Sequence, residues 1–141
     1  MDYAEERRFV RLFVRKSRRE RLLYELTNPG KRYDGLNRFC HHAAELLDAK
    51  KILLSGEDLE RQTAFRTFTE GHAEKCFILS PDSSLDGQNT RLDTALHLAS
   101  ACFDAVIIVG SCFAVVYGEA MKGGRGKYLL YEANEDDKWK V

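Results

Sequence analysis

The sequence predicts an α+β fold: one domain, with an N-terminal cluster of three helices packed on a mixed sheet of about five strands that ends in antiparallel hairpins. Three observations carry that reading. Apolar residues recur at helical spacing through the first third of the chain, and short β-rich runs replace them past Lys51. The last runs then lie too close together for anything but hairpins. With 141 residues, 44% of them hydrophobic, and only 2 Pro, the chain is long enough for one core and too apolar for a disordered segment. The division is a helical part over 1–49, a sheet with two further helices over 50–133, and a charged tail over 134–141 that carries Trp139.

The first helix, over 3–15, buries Phe9, Val10, Phe13 and Val14, and its order of Glu5 and Glu6 before the arginines suits the helix dipole. Ser17-Arg18-Arg19-Glu20 has the spacing of a capping box, which predicts a second helix starting at Arg18. That helix buries Leu22, Leu23 and Leu26 and stops at Asn28-Pro29-Gly30. Leu36, Phe39, Cys40, Ala43, Leu46 and Leu47 form one apolar stripe and predict a single third helix. Strands are expected at 52–54, 76–79, 106–109, 113–117 and 128–131, with helices over 55–70 and 92–103 between them. The strand-helix alternation permits a parallel pair between the first two strands, whereas 106–109 and 113–117, joined through Gly110-Ser111, form a hairpin. A looser hairpin crosses the glycine-rich stretch 118–126.

The first twenty residues carry many acidic and basic side chains and leave no room for the apolar stretch of a secretory signal. The longest uncharged window, 105–118, falls short of the ~20 apolar residues that span a bilayer. Cys40, Cys76, Cys102 and Cys112 are widely spaced and read as free thiols. The expected location is therefore the cytoplasm, with no membrane contact, and no motif calls for a cofactor.

Charge is the compositional anomaly. Lys plus Arg and Asp plus Glu both number 22, yet 7–21 holds eight basic residues against one acidic, Glu20. Through residue 40 the excess is +5, so the remainder is −5. Arg8, Arg11, Arg15, Lys16, Arg18 and Arg19 are the candidate docking face for an anionic partner, because guanidinium groups recognise carboxylate and phosphate oxygens in pairs. An acidic protein or other anionic partner is expected; nucleic acid fits the charge, but no helix-turn-helix, zinc-finger or RNP signature accompanies it. The plainer reading has these arginines paired with Glu57, Asp58 and Glu60 of the same chain, or facing water.

The expected function is a non-enzymatic binding module that uses this face. The rival is a small enzyme or sensor of a phosphorylated or nucleotide-like ligand, held at the strand ends by Ser55, Asp58, Ser80, Asp82 and His41. No catalytic constellation supports the rival. Phe113 and Ala114 stand where a nucleophile elbow at Ser111 would need glycine, and Gly123-Gly124-Arg125-Gly126 lacks the remainder of a P-loop. His41, His42 and Glu45 share a helical stretch, but a metal would need further ligands from His72, His97 or Asp93, so no metal is assigned. A second copy of the chain could pair along 128–131 if that strand lies at the sheet edge.

Overall fold

The computed structural model describes residues 2–70, 75–101, 103–110 and 113–132. His72, Cys102, Ser111, Cys112, Trp139 and the 134–141 tail lie outside the described residues. Helix α1 (Ala4–Phe13) buries Glu6, Phe9, Val10 and Phe13. Val14 then leaves the helix in extended geometry and bridges Leu47. Arg15 N–H donates to Leu46 O at 2.9 Å and Asp48 N–H to Phe13 O at 2.8 Å, so the end of α1 is stitched to the later end of the helical layer.

The predicted capping box does not form. Ser17 is exposed inside a 3-10 turn, Lys16–Arg18, which closes through Arg18 N–H on Arg15 O at 2.9 Å. Helix α2 (Arg19–Leu26) starts after that turn with no side-chain cap. Helices α2 and α3 (Arg32–His41) form a hairpin that approaches closely at Gly35, where a Cβ would sit 2.8 Å from Glu25 Cβ. Two prongs of Arg38 donate to the Glu25 carboxylate and close the pair. The third predicted helix is interrupted at His42, and the chain resumes as α4 (Ala43–Leu46). The apolar stripe survives the break, since Phe39, Cys40, Ala43 and Leu47 are all fully buried.

The remaining elements are β1 (Ile52–Ser55), a 3-10 turn (Leu59–Arg61), α5 (Thr63–Glu70), β2 (Lys75–Leu79), β3 (Asn89–Arg91) and α6 (Leu92–Ser100). They are followed by β4 (Ala105–Val109), β5 (Phe113–Glu119) and β6 (Arg125–Tyr131). The α+β class is as expected, but the sheet is antiparallel throughout rather than mixed, with six strands in the order β1-β6-β5-β4-β2-β3. The short polar strand β3 explains the difference. It reverses the chain before α6, so the helix joins β3 to β4 on the two sides of β2, and β2 is antiparallel to both. Strands β1 and β2 do point the same way, through four antiparallel steps, but β6, β5 and β4 lie between them. Strand β6 is interior rather than an edge; the edge beside it is β1, whose ladder is irregular between Ile52 and Leu54.

The central strands are buried on both faces. Val106, Ile108, Ala114, Val116 and Leu130 face α1, α2 and α3, where Phe9 and Phe39 meet edge to face with centroids 5.7 Å apart. Ala105, Ile107, Val109, Val115 and Leu129 face the other way, onto Leu59, Phe65, Leu92 and Ala95. The sheet is thus sandwiched between two helical layers. No helix among the described residues is long and apolar enough to cross a membrane.

Candidate functional site

The basic residues separate by what their guanidinium groups touch. Arg8 Nη2 donates to Glu5 Oε1 at 2.5 Å and its Nη1 to Gly110 O at 3.1 Å, so it clips α1 to the β4–β5 turn. Arg15 Nε donates to Leu47 O at 2.9 Å and Arg19 Nε to Val14 O at 2.8 Å. Both satisfy carbonyls left open where α4 and α1 end, which is the need a helix C-terminus creates. Arg7 Nε bonds Asp2 O at 3.0 Å, and Arg21 lies 3.8 Å from Glu25. Arg11, Lys16 and Arg18 are exposed and, among the described residues, make no side-chain hydrogen bond or ion pair. None of the basic block reaches Glu57, Asp58 or Glu60.

The acidic half of the chain is occupied with cations of its own. Glu60 pairs with Lys127 and Asp104 with Arg125, each at 3.0 Å, while Glu132 takes Lys51. Among the described residues one ion pair joins the first forty residues to the rest: Arg32 Nε to Asp86 Oδ2 at 2.7 Å. The same guanidinium donates from Nη1 to Glu6 Oε2 at 2.7 Å and to Leu26 O at 2.9 Å. Burial opposes the Arg32 charge, but hydrogen bonds to Asp86 and Glu6 overcome it and hold the group even more firmly protonated than usual. This buried knot, which no local pattern marks, locks α1 and α3 to the loop after β2.

The rival residues are not gathered into one site. Ser80 is buried, its hydroxyl donating to Asp104 O at 2.5 Å and accepting from Asp82 N–H at 3.0 Å, so it is built into the turn. Asp82 accepts from the Ser84 hydroxyl at 2.6 Å and the Ser84 N–H at 2.9 Å, and these bonds hold its carboxyl below the ordinary carboxylate value. Ser55 is exposed at the end of β1, where Gln62 Nε2 bonds both Ser55 O at 3.0 Å and Asp58 Oδ1 at 3.1 Å. His41 belongs to a third place, with Nδ1 3.4 Å from Glu119 Oε1, beside a small cleft of about 150 Å³ that His42 and Glu45 also line. The crevice expected between adjacent parallel strands is not formed, because β1 and β2 are not neighbours.

Asp93 accepts from its own helix at Thr94 N–H, 2.8 Å away, and His97 lines a different cleft on the far face of the sheet. Sequence reasoning missed that second cleft, and nothing local signals it, since its walls come from the 3-10 turn at Leu59–Arg61, α6 and β6. The arrangement closest to a site that the sequence anticipated is therefore the outward face of α1 and the turn after it. No protein-family model matches the chain, nor does any curated protein or solved structure.

Proposed function

We propose that the protein is a cytoplasmic, non-enzymatic binding module that docks an acidic protein surface through Arg11, Lys16 and Arg18, with the outward edges of Arg7 and Arg15 at the margin. The observation that carries this reading is the absence of any partner for those three cations on the described residues of their own chain, while the nearby arginines have one. A cation held in water next to a rigid helix end loses little on meeting a carboxylate, and several together steer a charged partner into register. The turn Lys16–Arg18, tied to α4 through Arg15 before it and to Val14 O through Arg19 after it, holds the group in one geometry and lowers the entropy lost on docking. An acidic protein is favoured over nucleic acid because the face carries no aromatic platform for bases and no recognition helix.

Fluorescence titration of the full chain against an acidic polypeptide, poly-glutamate, tests the proposal, with a DNA duplex of equal charge as the second arm. Binding that weakens as salt rises, and that falls by about tenfold or more in R11Q/K16Q/R18Q, is the expected result. Tighter binding to the duplex, with a salt slope set by phosphate neutralisation, would assign the face to nucleic acid instead. Equal binding by the triple variant would end the docking reading.

A further inference from the structure

On the sheet face opposite the arginines a second cleft of about 400 Å³ opens between the Leu59–Arg61 turn, α6 and the start of β6. Glu57, Glu60, Arg61, His97 and Lys127 line it, with Leu96 as an apolar wall. Two carboxylates and two cations share the lining, so with His97 neutral it carries no net charge. A ligand of one sign would meet a like charge wherever it bound; a ligand carrying both signs would be matched. Glu57 and Arg61 are exposed and, among the described residues, have no side-chain hydrogen bond or ion pair.

The floor of the cleft is a pairing left incomplete. Lys127 Nζ lies 3.0 Å from each Glu60 oxygen but is aligned to donate to Oε2 alone, and the buried Oε1 has no well-aligned donor. Beneath them Tyr117 is fully buried, with Lys127 Nζ 5.7 Å from its ring centre. Its hydroxyl sits beside the Glu60 carboxylate and interacts with it, but in a poorly aligned hydrogen bond. Burial above all, together with the neighbouring Glu60 carboxylate, pushes the phenol upward, so Tyr117 keeps its proton and remains a donor. Buried polar groups are normally well hydrogen-bonded, so this poorly aligned pair is the weak point of the cleft's floor.

We propose that this cleft binds a small zwitterion, of which a free α-amino acid is the simplest. Its carboxylate is taken by Arg61 and Lys127, its ammonium by Glu57, and its side chain lies along Leu96. As the ligand carboxylate engages Lys127, Glu60 turns further to the Tyr117 hydroxyl and straightens the bond that is poorly aligned in the free protein. The site is independent of the docking face and stands whether or not that face binds an acidic partner.

Thermal-shift titration of the full chain tests it, using each of the proteinogenic amino acids at millimolar concentration. The parallel arms are the matching amines without a carboxylate, the N-acetylated acids without an ammonium, and inorganic phosphate. The expected result is a saturable rise in Tm with at least one amino acid and none in the three parallel arms. Arg61→Gln and Glu57→Gln, both at exposed positions, each weaken that binding by about tenfold or more. Tyr117→Phe folds with an unchanged or higher Tm in the absence of ligand, yet binds more weakly. A response to phosphate or to the amines alone, no response to any amino acid, or undiminished binding in R61Q or E57Q overturns the zwitterion site. Undiminished binding in Y117F removes the role of the buried hydroxyl.

Discussion

Glu6 is 3% exposed, and a carboxylate that far from water is tolerable because Arg32 reaches it while also gripping Asp86 with two nitrogens. Removing one partner of a buried pair leaves an uncompensated charge, so Arg32→Leu is expected to lower stability by about 3–5 kcal/mol. Urea unfolding measures this, and the double variant E6L/R32L should recover part of the loss because the more deeply buried of the two orphaned carboxylates is gone. A loss below about 1 kcal/mol for R32L would show that the knot is hydrated rather than buried. The residue type of each arginine was legible in the sequence; its partner was not. Arg15 and Arg19 sit in the same basic run as Arg11 and Arg18, yet the first two serve backbone carbonyls whose openness depends on where α1 and α4 stop. Arg32 and Asp86 are fifty-four positions apart, and no local spacing relates them. Gly118 is similar: its lack of a side chain matters because Cys40 O would lie 2.5 Å from a Cβ there, a contact between β5 and α3 made only on folding.

Among the elements, α1, α2 and α6 were anticipated because their apolar spacing is a local property that survives any tertiary arrangement. Where a prediction needed a boundary it fared worse. The Ser17 box competed with a 3-10 turn stitched to α4, and the third helix parted at His42, where Cys40 and Ala43 settle onto Gly118. Strand β3 was invisible because Asn89-Thr90-Arg91 has no β-rich signature, and overlooking it reversed the parity of every later strand in the expected topology. The division of labour among the arginines makes an element-level prediction. Arg11→Gln, Lys16→Gln and Arg18→Gln should each leave stability within about 0.5 kcal/mol of the parent. Arg15→Gln and Arg19→Gln should each lose about 1 kcal/mol, since a helix-end carbonyl loses a charged donor. Thermal unfolding of the five single variants distinguishes the two groups, and equal behaviour across all five would mean that the Arg15 and Arg19 bonds carry no weight.

At the scale of the whole molecule, β4 and β5 pair antiparallel, as the sequence predicts, and yet are unbroken apolar runs. Such runs are common in parallel sheets, which are covered on both faces. Here an antiparallel sheet is covered on both faces, by the N-terminal helices on one side and by α5, α6 and the Leu59–Arg61 turn on the other. The same layering keeps the two charge populations apart. The basic residues of α1 and the following turn lie in one layer, while Glu60 and Asp104 pair with Lys127 and Arg125, cations of β6. Neutrality is therefore a sum over a polarised molecule, and in the helical layer Arg11, Lys16 and Arg18 have no side-chain partner among the described residues. Mapping amide chemical-shift changes in the full chain as an acidic polypeptide is added tests the docking claim most directly. The predicted result is a contiguous set of changes at Arg11, Lys16, Arg18 and their immediate neighbours that disappears at high salt. Changes centred on Glu57, Arg61 and Lys127 instead, or none at all, would contradict it.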